Sequence, residues 1–198
     1  MACDIKKLME NLHAAYDFQN KTVVWVGAGV GQIAPYLIMA RKVFAVESDA
    51  SVLATFTANI EKLDLTHLFE TVHCDFFQFT KFAQAVLFDF SLHEMIQPYN
   101  ALLYGRQMAP DVVIFDHWPE SEWAYLAVEE DKVRRSWAAI KGFPVKQIQS
   151  FMAEQRFADY DELRQKLLPQ GEVSLARIEK YRGQTQITVP MAYGIAVL

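Results

Sequence analysis

Short apolar runs alternate with amphipathic stretches along most of this chain. After residue 20, each apolar run is followed by a stretch in which apolar side chains recur every three or four positions, the period of an α-helix. Repeated alternation of this kind predicts a parallel sheet with helices on both faces. The predicted strands are Thr22–Val26, Val43–Glu47, Phe69–Cys74, Ala85–Phe90 and Val112–Asp116, and the predicted helices between them are Gln32–Ala40, Ala50–Leu63 and Met95–Gln107.

The last third of the chain has a different pattern. The helices predicted there are Ser121–Ile140, Val145–Phe157 and a third that begins at Asp159 and ends before Pro169. After Gly171, two alternating segments, Val173–Tyr181 and Gln184–Leu198, flank Arg182 and Gly183. This arrangement predicts an antiparallel hairpin that closes the sheet.

The first predicted strand runs directly into Gly27-Ala28-Gly29-Val30-Gly31, and the second strand ends in Glu47. Glycine lacks Cβ, so it adopts positive φ and lets a ligand approach the bare backbone. A carboxylate at the tip of the next strand can accept hydrogen bonds from both hydroxyls of a ribose. Together the two features predict a nucleotide-cofactor site formed by Gly27, Ala28, Gly29, Gly31 and Glu47.

The spacing of the glycines distinguishes between cofactors. A dinucleotide fingerprint is Gly-x-Gly-x-x-Gly, whereas the third glycine here is Gly31 and the dinucleotide position holds Gln32. In this motif the chain resembles the class I S-adenosylmethionine-dependent methyltransferases. The resemblance implies S-adenosyl-L-methionine as cofactor and S-adenosyl-L-homocysteine as product. Many members carry an acidic residue where this chain has Trp25, so the contact to the methionine ammonium is missing or is supplied elsewhere.

The expected fold class is α/β, a doubly wound and mostly parallel seven-stranded sheet with helices on both faces and a C-terminal antiparallel hairpin. A chain of 198 residues fits a single domain. We expect an N-terminal amphipathic helix within residues 1–20, a cofactor-binding half over residues 21–118, and substrate-side helices with the closing hairpin over residues 119–198. In similar enzymes such an N-terminal helix often covers the cofactor or substrate; the alternative is that it only covers an edge of the sheet.

The resemblance extends the expected cofactor-binding set to Ser48, Asp75, Phe76, Asp89 and Ser91. It implies that Asp75 accepts a hydrogen bond from the adenine amino group and that Phe76 packs on the ring. Ser48 would line the adenine pocket. The alternatives for Ser48 and Asp75 are roles as helix caps, which both residue types favour.

The fourth and fifth strands end in two segments that carry candidate catalytic residues, His93 and Glu94 in the first and His117 in the second. His93 is a candidate general base because the ordinary histidine pKa lies near the operating pH. Glu94 would orient it or bind substrate, and His117 would form a second wall of the substrate pocket. His93 as a helix cap and Glu94 as a first-turn acid are the alternatives. With Asp116 these residues lack diagnostic metal-site spacing, and we expect no metal.

The acceptor is expected to be a small molecule. The segment after the fourth strand, Leu92-His93-Glu94-Met95, lacks the Asn/Asp-Pro-Pro-Tyr/Phe motif of enzymes that methylate amines of adenine, cytosine or glutamine. It resembles small-molecule methyltransferases of the quinone and natural-product type. A net charge of −5 and a pI near 5.5 argue against nucleic acid as a partner.

Other functions stay open at this stage. They are a non-catalytic S-adenosylmethionine-binding module with a protein partner, an NAD-dependent oxidoreductase and an aminopropyl transferase. The chain has two cysteines, Cys3 and Cys74, and no apolar run long enough to span a bilayer. We therefore expect a cytoplasmic protein without a membrane span, and the apolar terminal hairpin makes a homodimer possible.

Overall fold

The computed structural model describes residues 4–198, and its central element is a seven-stranded sheet. Its strands are β1 (Thr22–Val26), β2 (Lys42–Glu47), β3 (Phe69–His73), β4 (Ala85–Asp89), β5 (Asp111–His117), β6 (Gln147–Asp159) and β7 (Thr185–Val197). The spatial order is β3-β2-β1-β4-β5-β7-β6; the first five strands are parallel, and β7 runs antiparallel to both β5 and β6. The strand order reverses between β1 and β4, the place where open α/β sheets bind ligands. The expected fold class is confirmed.

Helices cover both faces of this sheet. They are α1 (Ile5–Ala15), α2 (Ala50–Lys62), α3 (Pro98–Met108), α4 (Glu122–Leu126), α5 (Glu130–Ile140), α6 (Tyr160–Leu167) and α7 (Glu172–Ile178). Successive residues of a strand point to opposite faces, so Trp25 packs in a core with α1, α2 and α6, whereas Val26 packs in a second core with α3 and α5. Each buried parallel strand is therefore apolar along its length.

The predicted N-terminal helix is present as α1. The Asp4 side chain accepts a hydrogen bond from the Lys7 N–H and caps the helix, and Leu8, Met9 and Leu12 are buried against the sheet. Cys3 lies outside the described residues. Among residues 4–198, no helix has both the length and the apolar character that crossing a membrane requires.

The helix predicted over Gln32–Ala40 is wrong. The segment forms consecutive i→i+3 turns around a short 3₁₀ helix, Ala34–Tyr36, with Pro35 in its first turn. The buried side chains at Ile33, Ala34, Leu37 and Ala40 include a spacing of three, which suits 3₁₀ geometry. Proline also removes one of the N–H donors that an α-helix would use.

Two predictions in the last third are also wrong. The segment predicted as the helix Val145–Phe157 is the edge strand β6, and the segment predicted as the strand Val173–Tyr181 is α7 followed by a 3₁₀ turn. The predicted strand Gln184–Leu198 is confirmed as β7, but its antiparallel partner is β6. In α7 the buried side chains are Ser174 and Ile178, which are four positions apart and share one helical face.

Candidate active site

A cavity of about 500 Å³ opens at the carboxyl ends of β1, β4 and β5. Its volume falls in the range of small-molecule pockets, roughly 300–1,000 Å³. The lining residues are Ile5, Leu8 and Met9 of α1; Gly27, Ala28, Gly29, Val30, Gln32 and Ile33 after β1; Asp89, Phe90, Phe115 and His117 at the ends of β4 and β5; and Trp123, Gln155, Lys166 and Met191 of the last third. The cavity thus combines the glycine loop with residues from four other parts of the chain.

The glycine loop has the backbone conformation that only glycine adopts without strain. Gly27, Gly29 and Gly31 have φ values of +66°, +56° and +82°. A Cβ on Gly27 would lie 2.6 Å from the Cβ of Ser91, whose hydroxyl donates a 2.7 Å hydrogen bond to the Val26 carbonyl. The Ser91 hydroxyl therefore stabilises the start of the loop through its hydrogen bond to the Val26 carbonyl. A Cβ on Gly29 would meet nothing closer than 4.0 Å, so this backbone is open to a ligand.

Glu47 contacts the glycine loop directly. Its Oε2 accepts a 3.1 Å hydrogen bond from the Gly29 N–H, and its Oε1 accepts a 3.0 Å bond from the Asp49 N–H. Each carboxylate oxygen retains a further lone pair. Ser48 is exposed, and the cap of α2 is Asp49, which accepts from the backbone of Ser51 and Val52.

Several predicted cofactor residues lie away from the cavity wall. The Asp75 side chain accepts a 2.8 Å hydrogen bond from the Phe77 N–H and caps a 3₁₀ turn. Phe76 is buried in the second core, edge-on to Phe88 and Tyr104. Gly31 faces the Phe56 ring, which a Cβ would approach to 2.9 Å.

Asp89 is the acidic residue of the cavity wall. Burial raises its pKa to about 7, and the charge of the neighbouring Asp116 adds to the shift. The indole N–H of Trp25 opposes this shift only in part, because it has no well-formed hydrogen bond among the described residues. The adjacent Phe90 has a φ of +45°, a strained conformation for a bulky residue, and its ring lies 4.7 Å from the His117 ring.

His93 lies outside the cavity wall and is buried next to three carboxylates, of which Asp116 and Glu129 are buried and Glu94 is exposed. Its Nδ1 lies 2.5 Å from Asp116 Oδ1, and its Nε2 lies 3.3 Å from Glu94 Oε1 and 3.7 Å from Glu129 Oε2. Burial alone would lower its pKa, but the charge of Asp116 and the hydrogen bonds to Asp116 and Glu94 outweigh burial and raise the pKa to about 10. At neutral pH His93 is therefore an imidazolium.

The carboxylates around His93 differ from each other. The hydrogen bond from His93, helped by Lys132 at 2.7 Å, lowers the pKa of Glu94 to about 2, whereas burial raises the pKa of Glu129. Donor atoms of His93, Glu94 and Glu129 lie within 4.8 Å of one another, as metal ligands would. A metal would have to displace the proton on the His93 ring.

His117 lies in the cavity wall and has the opposite charge state. Its backbone N–H donates to Asp116 Oδ1 at 2.8 Å and its carbonyl accepts from the Trp137 indole, so the backbone is fixed at both ends. The ring Nδ1 has no hydrogen-bond partner among residues 4–198. Burial lowers the pKa of His117 to about 4, and the nearby charge of His93 adds to the effect. At neutral pH the ring is therefore uncharged, and His117 lies in the cavity wall.

Of the residues proposed from the sequence, the structure therefore places Gly27, Ala28, Gly29, Asp89 and His117 in the cavity wall. Gly31 completes the glycine loop, which Glu47 and Ser91 contact, but these three residues do not line the cavity. His93 and Glu94 also lie outside the cavity wall, and the His93 ring is next to that of His117. The sequence analysis missed Gln155, which lies on β6, a strand that its pattern predicts as a helix; it also missed Lys166, although the helix α6 that carries it is predicted correctly. The signal that would have revealed β6 is the alternation of inward Phe151, Ala153, Gln155 and Phe157.

Comparison with known proteins supports the fold. No protein-family model matches the chain, and no curated protein sequence matches it either. The structure is similar to that of a Bacillus halodurans protein named as a candidate methyltransferase (17% identity, 98% of this chain and 97% of that chain, TM-score 0.70). It is also similar to a SAM-dependent methyltransferase from Aquifex aeolicus (18% identity, 98% and 89%, TM-score 0.57) and to a precorrin-8w decarboxylase from Methanobacterium thermoautotrophicum (14% identity, 96% and 88%, TM-score 0.59). At these identities the comparisons establish a shared fold, on which more than one chemistry occurs.

Proposed function

We propose that this chain transfers the methyl group of S-adenosylmethionine to a small-molecule acceptor held in the cavity at the ends of β1, β4 and β5. The observation that carries the proposal is that one cavity joins the open glycine backbone at Gly29, the carboxyl group of Asp89 and the neutral ring of His117. Structural neighbours named as SAM-dependent methyltransferases support the choice of cofactor.

The residues around the glycine loop fit a mononucleoside cofactor better than a dinucleotide. A dinucleotide places its pyrophosphate on the N-terminus of the helix that follows the loop. Here that segment has only the 3₁₀ turn Ala34–Tyr36. S-adenosylmethionine has no pyrophosphate, so it does not need the missing helix. Glu47 would use its remaining lone pairs on the ribose hydroxyls while it holds the Gly29 N–H.

Asp89 would bind the ammonium group of the methionine part. Trp25 stands where many class I methyltransferases carry an acid, and Asp89 ends the neighbouring strand β4. The raised pKa of Asp89 reflects a buried carboxyl group without a cationic partner. A bound ammonium would restore its charged form and would gain a charge-assisted hydrogen bond.

His117 would accept the proton that the acceptor loses. S-adenosylmethionine, when bound, supplies a methyl carbon already activated by the sulfonium. The protein then has to align the acceptor, exclude water and receive a proton. His117 suits the last task because it is neutral at pH 7 and lies in the cavity wall, whereas the charged His93 has no free lone pair.

Calorimetric titration with S-adenosylmethionine, S-adenosylhomocysteine and NADH tests the cofactor. We expect both sulfur nucleosides to bind, NADH not to bind, and Asp89→Asn to weaken the binding of both nucleosides by about tenfold. The matched control is Asp131→Asn, an exposed aspartate outside the cavity. Binding of NADH alone, or of none of the three, would overturn the proposal.

A further inference from the structure

His117 belongs to the cavity wall, yet it is almost completely covered by its neighbours. The residue is 6% exposed, and its ring Nδ1 has less than 1 Å² of exposed surface and no hydrogen-bond partner within residues 4–198. A buried polar atom without a partner is costly, and most such atoms in proteins have one. The proposed function requires an acceptor to come into contact with this ring, so a group that covers it has to move.

Phe90 is the residue of the cavity wall whose ring packs on the ring of His117. The two ring centroids lie 4.7 Å apart, with an interplanar angle of 60°. The His93 ring, at 5.4 Å from that of His117, lies outside the cavity wall. Phe90 is partly exposed, whereas Phe115, which its ring meets edge-on, is fully buried. In the described part of the chain, the Phe90 ring is therefore the one that both contacts His117 and has surface open to the cavity.

The backbone of Phe90 is strained and is held in place on both sides. Its φ of +45° lies in the left-handed region, which a bulky residue rarely adopts. The Phe90 N–H donates a 2.7 Å hydrogen bond to the Phe115 carbonyl, and the hydroxyl of the next residue, Ser91, donates a 2.7 Å bond to the Val26 carbonyl. Strain of this kind persists where the surroundings fix it, and it is concentrated at functional sites. Here it directs the Phe90 ring towards His117.

A rotation of the side chain is sufficient to move the Phe90 ring away from His117. The ring is held by its contacts with the rings of Phe115 and His117, and the cavity of about 500 Å³ lies beside it. Partly exposed side chains change rotamer without any movement of the backbone. The His93 ring does not have this freedom, because Asp116 holds it at 2.5 Å.

We propose that Phe90 controls access to His117: its ring closes over the histidine, and an acceptor comes into contact with His117 when the ring rotates away. The closed ring also keeps water from this side of His117, which protects the reacting groups until an acceptor is in place. This inference rests on the proposed function and deepens it, because it names a residue that determines which molecules come into contact with the proposed base.

Chemical modification of individual histidines tests this role in the whole chain. Diethyl pyrocarbonate adds an ethoxycarbonyl group to an accessible, unprotonated ring nitrogen, and peptide mass spectrometry gives a rate for each histidine. The exposed His13 and His67 serve as internal references. In the unaltered chain we expect His117 to react at least about tenfold more slowly than these two, since a minor open state is populated to roughly 0.1–10%.

Removal of the Phe90 ring should make His117 reactive. In Phe90→Ala we expect its rate to rise by about tenfold or more, because the open state no longer has to form. Phe82→Ala is the matched control, since Phe82 is 78% exposed and lies outside the cavity wall. This control should leave the His117 rate unchanged.

Phe90→Gly serves as a second variant that also tests the strained backbone. Glycine adopts positive φ without strain, so Phe90→Gly should expose His117 and should unfold at a temperature no lower than Phe90→Ala does. At Phe82, which has no positive φ, the glycine variant should unfold at a lower temperature than the alanine variant.

His93 distinguishes control of access from a general role in packing. It is buried beside His117 and bonded to Asp116, so its rate should stay low in every variant. If His93 and His117 become reactive together in Phe90→Ala, the ring holds the core together and the proposal is overturned. It is also overturned if His117 reacts as fast as His13 in the unaltered chain, or stays unreactive in both Phe90 variants.

Calorimetric titration of the unaltered chain with S-adenosylmethionine tests the proposed function separately, because the histidine rates are measured without a cofactor. If S-adenosylmethionine binds but the Phe90 variants leave His117 unreactive, the proposed function stands and the role of Phe90 is overturned. If S-adenosylmethionine does not bind, the proposed function is overturned, and the role of Phe90 towards a methyl acceptor is overturned with it.

Discussion

His93 follows β4 and His117 ends the neighbouring strand β5, and their ring centroids lie 5.4 Å apart, yet one ring is charged at neutral pH and the other is not. Both are buried, and burial lowers the pKa of each. The difference is the partner of the ring: a carboxylate oxygen of Asp116 lies 2.5 Å from His93, whereas the same carboxylate meets only the backbone N–H of His117. A specific carboxylate contact therefore decides the outcome where burial is equal.

The comparison also assigns the two regions different tasks. The cluster around His93 holds charge behind the cavity wall, and its imidazolium makes a second positive charge on His117 less favourable. His117 thereby stays neutral and available to accept a proton. If His117 accepts the proton as proposed above, the cluster acts through it and His93 is a positioning residue.

The largest expected effect comes from Asp116→Asn. It removes the charge that holds His93, and breaking a buried ion pair typically costs about 3–5 kcal/mol of the free energy of unfolding. Urea unfolding measures the loss, and NMR titration of the histidine rings should show the pKa of His93 falling from about 10.

The control for this change is Asp131→Asn, which breaks an exposed pair with Arg134 and should alter stability by no more than about 0.5 kcal/mol. A milder variant, Glu129→Gln, serves if the Asp116 variant does not fold. Equal stability of the Asp116 and Asp131 variants, or an unchanged His93 pKa, would contradict the contrast between the two histidines.

The next effect in size is on catalysis. His117→Gln should lower kcat for methyl transfer by about 10²-fold, since general bases contribute roughly 10²–10⁴-fold, and should leave the affinity for S-adenosylhomocysteine unchanged. With S-adenosylmethionine saturating, so that its ammonium group keeps Asp89 charged, the unaltered chain should lose activity on the acid side near pH 4, where His117 takes up a proton. That limb should be absent from the variant; a limb that persists there would assign the base to another group.

The pH dependence of stability should separate the two rings with a smaller effect. For His117 the folded pKa of about 4 lies below the ordinary 6.5, so stability falls as the pH drops from 6.5 to 4. For His93 the folded pKa of about 10 lies above 6.5, so its contribution is complete below pH 6.5 and is lost as the pH rises to 10. Each slope is at most about 1.4 kcal/mol per pH unit for one proton.

Thermal unfolding of His117→Gln and His93→Gln across this pH range measures the two slopes as differences from the unaltered chain. Differences are needed because Asp89 has a pKa raised to about 7, so its ionisation lowers the free energy of unfolding as the pH rises from about 4 to 7. This effect has the opposite sign to that of His117 over the same pH range. Relative to the unaltered chain, the stability of His117→Gln should rise as the pH falls from 6.5 to 4, and that of His93→Gln should rise as the pH increases from 6.5 to 10. Changes on the reverse sides would refute the assigned charge states.

The sequence was sufficient for the parallel half of the sheet. The strands β1, β2, β4 and β5 are buried on both faces, so their apolar runs are unambiguous, and the glycine loop follows β1 as predicted. By contrast, β6 is an edge strand whose only buried side chains are Gln155 and Phe157. Its exposed Ile148 and Met152 are four positions apart, a spacing that is typical of one face of a helix, so the sequence pattern favours a helix here.

The composition of the site was harder to predict than the sheet. The strand ends predict Asp89 and His117, which the structure places in the cavity wall, but the position of Gln155 depends on a long pairing of β6 with β7. The choice between His93 and His117 depends on Asp116 and on Glu129, which lies between α4 and α5. Contacts between residues this far apart in the chain set the histidine charges, and no local pattern contains them.

The smallest expected effect comes from Lys132→Gln, which tests how far the charged region extends. Lys132 pairs with Glu94 at 2.7 Å, but both side chains are more than 40% exposed, so the pair should contribute only about 0.2–1 kcal/mol to stability. His93 should stay charged in this variant because Asp116 and Glu129 still face its ring. The same urea unfolding measures the change in the free energy of unfolding. A loss as large as that of Asp116→Asn would mean that the exposed Lys132–Glu94 pair stabilises the cluster as much as Asp116 does. The buried carboxylate of Asp116 would then not be sufficient to explain the difference between His93 and His117.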